Sequence, residues 1–119
     1  MTQFRSGGAG GPHCDVSLQL AFALLGKRWN GLIIAALSDG PTGFATLRRT
    51  VSGISERMLT DRLGELTDAG LAVREVEAGP PTRVRYTLTA NGHALLPVLD
   101  VLAAWAASHL SDHLDGGGG

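Results

Sequence analysis

Three side chains near the start of one amphipathic stretch carry the chemistry of nucleic-acid contact: Ser55, Arg57 and Thr60. Hydroxyl and guanidinium groups bond base edges and phosphate oxygens, which are the polar targets a DNA groove offers. On a helix spanning Ser55 to Ala69, Arg57, Thr60, Asp61 and Gly64 share one face, and the small Gly64 keeps that face slim enough for a major groove. Arg62 lies about 60° from Leu59 on the helical wheel, so it is as well placed to pair with a local carboxylate or a phosphate as to read a base. Arg83 and Arg85 follow on a strand-like run and extend the cationic set. The competing interpretation of the helix alone is an ordinary solvated face.

The flanking elements must hold these groups in place. Ser55 is suited to cap the orphan amides of a first helical turn, and Leu59, Leu63 and Leu66 recur at i, i+4 and i+7, a single stripe for burial. Two runs follow, Leu71 to Val76 and Arg83 to Thr89, joined by the turn residues Gly79, Pro80 and Pro81. In the second run Val84, Tyr86 and Leu88 alternate with Arg83, Arg85 and Thr87, which separates a core face from a basic face. Upstream, Thr42 is expected to cap a short helix with Phe44, Leu47 and Val51 turned inward and Arg48 and Arg49 turned outward. Ser52, Gly53 and Ile54 then form a tight turn, so this short helix and the next make a helix-turn-helix, with the second helix as the reading element and the hairpin as its wing.

Asp15 to Leu25 reads as a first helix stopped at Gly26, and Trp29 to Leu37 as a second, nearly apolar helix for the centre of the core. Thr89 is placed to cap a last helix carrying Leu95, Leu99, Leu102, Trp105 and Ala106, with a second apolar row at Leu96, Val98, Val101 and Ala103 and an expected kink at Pro97. A band that broad exceeds what one small core covers, and a partner subunit is its simplest cover; a wholly intramolecular helix is the alternative. The fold class is therefore mainly α with a small β-hairpin, α+β, in a winged helix-turn-helix arrangement.

The chain has 119 residues, 44% of them hydrophobic, enough for one domain with a real core. Glycine-rich residues 1–12 and 116–119 are expected to be disordered tails around a domain at 13–115. No apolar run reaches the ~20 residues of a membrane span and the start lacks a signal-peptide core, so a cytoplasmic protein with no membrane partner is expected. Net charge is −1, but it is segregated. Nine cationic against seven acidic side chains leave residues 27–85 at +2, whereas residues 86–119 hold Asp100, Asp112 and Asp115 and no Lys or Arg. The last helix should therefore face away from any polyanion.

Cys14 is the only cysteine, which excludes an internal disulfide and a cysteine-built zinc site. It precedes a helix start and adjoins His13, two features that favour a thiolate; an inert, packed cysteine is the alternative. His13 and Cys14 are also the one nucleophile and base pair in view. Adjacent residues in a loose stretch seldom hold that geometry, so no enzyme activity and no cofactor are expected. His109 and His113 stand at i, i+4, a metal-compatible spacing that lacks a third ligand and suits a solvated helix end, so no metal is assigned.

Taken in order, Cys14, Leu25-Gly26-Lys27-Arg28-Trp29, Gly43-Phe44-Ala45-Thr46-Leu47, Ile54-Ser55-Glu56-Arg57-Met58-Leu59-Thr60, Leu63 to Leu71, and Pro81-Thr82-Arg83-Val84-Arg85-Tyr86-Thr87-Leu88-Thr89 with Gly92 resemble the HxlR-type winged helix-turn-helix regulators, relatives of the MarR group. The resemblance runs from about Cys14 to Trp105. It implies a homodimer joined through the first and last helices, with reading helices in successive major grooves of a near-palindromic double-stranded operator and wings over the flanking DNA. Some family members sense oxidants or electrophiles through a cysteine at the position of Cys14. Two departures, Gly26-Lys27-Arg28-Trp29 for Gly-Gly-Lys-Trp and Val84-Arg85-Tyr86 for Val-Glu-Tyr, add positive charge. They favour phosphate contact at Arg28 and Arg85. For Arg28 an exposed helix start is the alternative. A winged-helix protein-protein adaptor without DNA binding is the rival function, and a small-molecule receptor with a pocket between the dimer helices and the core is compatible with DNA binding.

Overall fold

A computed structural model describes residues 15–110, which form five helices and a three-stranded sheet. In chain order these are α1 (Val16–Leu25), α2 (Arg28–Ala36), β1 (Thr42–Gly43), α3 (Phe44–Thr50), α4 (Glu56–Asp68), β2 (Ala72–Glu77), β3 (Arg83–Leu88) and α5 (Ala90–His109). The expected tails, with His13, Cys14, Asp112, His113 and Asp115, lie outside the described residues.

Local chemistry explains most of these boundaries. Asp15 caps α1 by accepting from the Ser17 amide at 2.9 Å, Ser55 caps α4 from Met58 at 3.0 Å, and Thr89 caps α5 from Gly92 at 3.1 Å. The Thr89 hydroxyl also donates to the Gly70 carbonyl at 2.7 Å, which ties the start of α5 to the α4–β2 corner. Gly92 is required there: a Cβ would stand 2.1 Å from the Leu71 carbonyl oxygen, so a side chain would push α5 off the sheet.

The core joins Ile33, Ile34 and Leu37 with Leu47 and Val51, then Ile54, Leu59, Leu63, Leu66, Ala72 and Leu88. The three leucines expected as the stripe of α4 are all buried. Burial of such a side chain contributes about 1.5–3 kcal/mol, so α4 is anchored along its whole length.

Three details depart from the sequence reading. Thr42 does not cap α3; Gly43 takes that position, and Thr42 and Gly43 are extended and pair with Tyr86 and Arg85. The expected hairpin is consequently the larger part of a three-stranded antiparallel sheet in the order β1-β3-β2. A two-residue strand has no periodicity to betray it. The nearly apolar α2 buries the polar Asn30 completely and leaves Leu32 half exposed. α5 runs from Ala90 to His109 with Pro97 inside it.

The outer helices are poorly covered. α1 buries no residue and exposes Val16, Leu18, Leu20 and Phe22; on α5 Leu95, Leu96 and Leu99 touch the core edge while Val98, Val101, Leu102 and Trp105 are open. Apolar side chains left open along two helices are surface that a partner can cover. No helix among the described residues is long and apolar enough to cross a membrane.

Candidate nucleic-acid interface

The reading helix is held from both sides of the turn that precedes it. Gly53 adopts a φ of +95°, a left-handed conformation that lets the chain reverse between α3 and α4. The Trp29 ring reaches to this turn, within 3.7 Å of where a Gly53 Cβ would stand. Arg48 spans it: Nε donates to the Ile54 carbonyl at 3.4 Å and Nη1 bonds Glu56 Oε2 at 3.0 Å. Arg48, turned outward as expected, therefore fastens the two helices to each other.

With Leu59, Leu63 and Leu66 inward, Ser55, Arg57, Thr60, Asp61 and Gly64 are all exposed. Arg57 makes no ion pair among the described residues, so its guanidinium is free for a ligand. The Ser55 Oγ is occupied as the cap acceptor but keeps its proton to donate. Arg62 is placed differently. Its side chain is 18% exposed, Nη1 is held by Glu65 Oε1 at 3.1 Å, and Nε is buried without a partner among the described residues.

The wing is less basic than the strand alternation suggests. Register pairs Glu75 with Arg85 and Glu77 with Arg83, so all four charges share one face of the hairpin. Arg85 Nη2 lies 3.4 Å from Glu77 Oε1. Arg83 makes no ion pair among the described residues. Arg74, opposite Tyr86 on the other face of the hairpin, is exposed and equally free of ion pairs. Arg28 stacks its guanidinium 4.4 Å from the Trp29 ring centroid, which connects it through that ring to the turn before α4.

Sequence reasoning assigned no contact to Arg49 or Arg74. Arg49 is exposed on α3 and bonds only Thr46 Oγ1, at 3.2 Å. The signal for it was present, an outward arginine on the first helix of a helix-turn-helix, where backbone phosphates pass. Arg74 carried no comparable signal, because its face depends on the hairpin register.

Behind the reading face lies a polar cluster. Glu65 Oε2 bonds Lys27 Nζ at 2.5 Å, while Oε1 accepts from Asn30 Nδ2 at 3.2 Å and from Arg62. These donors, Lys27 first and Asn30 next, hold the Glu65 carboxyl below the usual glutamate range. On α5, His109 Nδ1 bonds the Trp105 carbonyl oxygen at 3.0 Å and its ring stacks on Trp105. No group of three metal-compatible side chains occurs among the described residues.

A family model described as an HxlR-like helix-turn-helix matches residues 24–114. The HTH-type transcriptional regulator YodB of Bacillus subtilis is 47% identical over 89 residues, 75% of this chain and 80% of YodB. Among solved structures, the reduced form of YodB superposes with a TM-score of 0.74 at 43% identity, covering 82% of this chain and 95% of YodB. Quinone-bound YodB gives 0.70 at 44%, covering 79% and 99%. The redox regulator HypR in its reduced form gives 0.76 at 32%, covering 84% and 98%. The family match spans the helix-turn-helix, the wing and α5 together.

Proposed function

Because this chain belongs to the HxlR-like helix-turn-helix family of transcriptional regulators, we propose that it is a sequence-specific double-stranded DNA-binding protein acting as a homodimeric repressor. One observation carries the reading. α4 is capped, anchored by three buried leucines, and presents an exposed opposite face with an unpaired Arg57 beside Thr60. In this reading Ser55, Arg57 and Thr60 meet base edges, and Arg83 and Arg28 meet phosphates. Arg85 adds a phosphate contact once it leaves Glu77. Arg62 supports the helix from behind through Glu65.

The open apolar faces of α1 and α5 cover each other across a two-fold axis, as isologous dimers require. Two α4 helices then enter successive major grooves of a near-palindromic operator. A cytoplasmic location follows from that task.

Cys14, directly before the α1 cap Asp15, is the proposed sensor. YodB, at 47% identity, has been solved in a quinone-bound form, which supports an electrophile as effector. Addition of the Cys14 thiolate to a quinone carbon forms one C–S bond, the displaced π electrons reach a ring oxygen, and that oxygen takes up a proton. With diamide, two Cys14 thiols of a dimer form one disulfide while two electrons and two protons pass to the reagent.

Gel shifts on an operator selected from random DNA test this. Arg57→Ala should lower specific affinity about 5- to 150-fold with little change on scrambled DNA, whereas Arg83→Ala should weaken both alike. Equal losses for Arg57→Ala on both sequences would remove its reading role. If Cys14→Ser leaves release by diamide or methylglyoxal unchanged, the thiol is not the sensor.

A further inference from the structure

α1 meets its own fold chiefly at its last turn, where Leu24 and Leu25 are half-buried and Leu24 packs against the core. It buries no residue, and Val16, Leu18, Leu20 and Phe22 are open. Its end is instead fixed by directional bonds. Asn30, fully buried in α2, donates from Nδ2 both to the Leu24 carbonyl in the last turn of α1 and to Glu65 Oε1 on α4, at 2.9 and 3.2 Å. Lys27, in the corner between α1 and α2, bonds the other Glu65 oxygen at 2.5 Å. One carboxylate thus gathers α4, α2 and the corner that carries α1.

Stability explains this cluster only in part. Asn30 Oδ1 and Arg62 Nε are buried without partners among the described residues, and such groups keep their desolvation cost. An apolar side chain at position 30 would avoid that cost. What the cluster supplies is direction. The leucine stripe of α4 resists separation from the core but is indifferent to small rotations, because apolar burial is non-directional. Bonds to Glu65, in the last turn of α4, define the helix angle. The first turn, with Ser55 and Arg57, lies about 15 Å away along the axis, so a tilt of about 10° moves the reading side chains by about 2.5 Å. That displacement breaks a base contact.

Resting on the DNA-binding reading above, we propose that Glu65 is a positioning residue for DNA recognition. Through Asn30 and Lys27 it fixes the angle between α4 and α1, and in a dimer joined through α1 it thereby sets the separation of the two half-sites. Neither Glu65 nor Asn30 touches DNA in this scheme; both act through the placement of Ser55, Arg57 and Thr60.

The test uses the full chain and an operator selected by the wild-type protein, rebuilt as a series with up to two base pairs added to or removed from the spacer. Each base pair changes half-site separation by about 3.4 Å and orientation by about 34°. Affinities are measured by fluorescence anisotropy at fixed salt for wild type, Glu65→Gln and Lys27→Met, with helical circular dichroism and sedimentation as checks on fold and dimer. Wild type should favour its own spacing over the neighbouring ones by about tenfold, and both variants should compress this to within about threefold while binding scrambled duplex as wild type does. If Glu65→Gln fails to fold, Lys27→Met, whose side chain is 46% exposed, carries the comparison.

Variants that stay folded and dimeric yet keep wild-type spacing preference overturn the proposal. So does a uniform loss at every spacing and on scrambled DNA, which marks a merely structural role. Absence of any wild-type DNA binding overturns the DNA-binding reading itself, and this proposal with it.

Discussion

Removing an acid from the wing should tighten DNA binding. Glu77 lies 3.4 Å from Arg85 and faces Arg83 across the hairpin, so in the proposed DNA-bound state it competes with phosphates for both arginines. The Glu77 and Arg85 side chains are 64% and 46% exposed, and pairs this open contribute about 0–1 kcal/mol to stability. Glu77→Gln should therefore change thermal stability little.

Its effect on DNA binding can be scaled from Coulomb's law. A carboxylate about 7 Å from a phosphate is repelled by ~0.6 kcal/mol at the dielectric of water, and about twice that at half the dielectric. Salt screening with a Debye length of about 8 Å reduces both figures. The expected gain is about 1.5- to 2.5-fold in affinity per wing at physiological salt, on specific and scrambled DNA alike, because a wing phosphate contact carries no base information. Release of Arg85 to a phosphate should also steepen the slope of log affinity against log salt by up to about 0.9. A salt series by fluorescence anisotropy measures both quantities. Unchanged or weakened binding with the fold intact would refute the placement of this wing face against the DNA backbone.

Leu63→Ala empties a fully enclosed site at the middle of the α4 stripe and should cost about 2–5 kcal/mol in denaturant unfolding, with DNA affinity falling as α4 loosens. Ser55→Ala removes the cap bond to Met58 and should cost about 1 kcal/mol, read as a lower melting temperature. Glu65 titrates below its usual value of 4.5 because Lys27, Asn30 and Arg62 donate to or face it; its stabilisation is present above that value and is lost as pH falls through the lower folded value. Acid unfolding of Glu65→Gln should accordingly be less steep in that window than that of wild type. Val101→Asp, at a position 70% exposed on α5, should shift sedimentation toward monomer without lowering helical content, whereas a retained dimer would place the interface elsewhere.

Much of this architecture was legible in the sequence because its signals are periodic. The spacing of Leu59, Leu63 and Leu66 and the cap at Ser55 gave α4 to within a residue at each end. Alternation in Arg83 to Thr87 likewise separated the two faces of β3. What escaped depended on partners distant in the chain. β1 exists only because β3 offers Thr42 and Gly43 a ladder to join. The acidity of the wing face follows from a register in which Glu75 and Glu77 meet Arg85 and Arg83, and no single strand reveals its register. Asn30 carries no signal of its own in a nearly apolar helix, yet its burial beside Glu65, 35 positions away, makes it the link between α1 and α4. Arg62 shows both sides of this: its wheel position predicted ambiguity, and the nearby Glu65 resolved it toward the interior.

Selection of bound sequences from random double-stranded DNA, followed by a salt series on the selected duplex and a scrambled control, tests the central claim most directly. The account predicts two related half-sites about one helical turn apart, selected affinity at least about a thousandfold above scrambled, and a steep loss of binding as salt rises. Recovery of no enriched sequence, with weak binding indifferent to salt, would contradict it and favour a protein-protein adaptor.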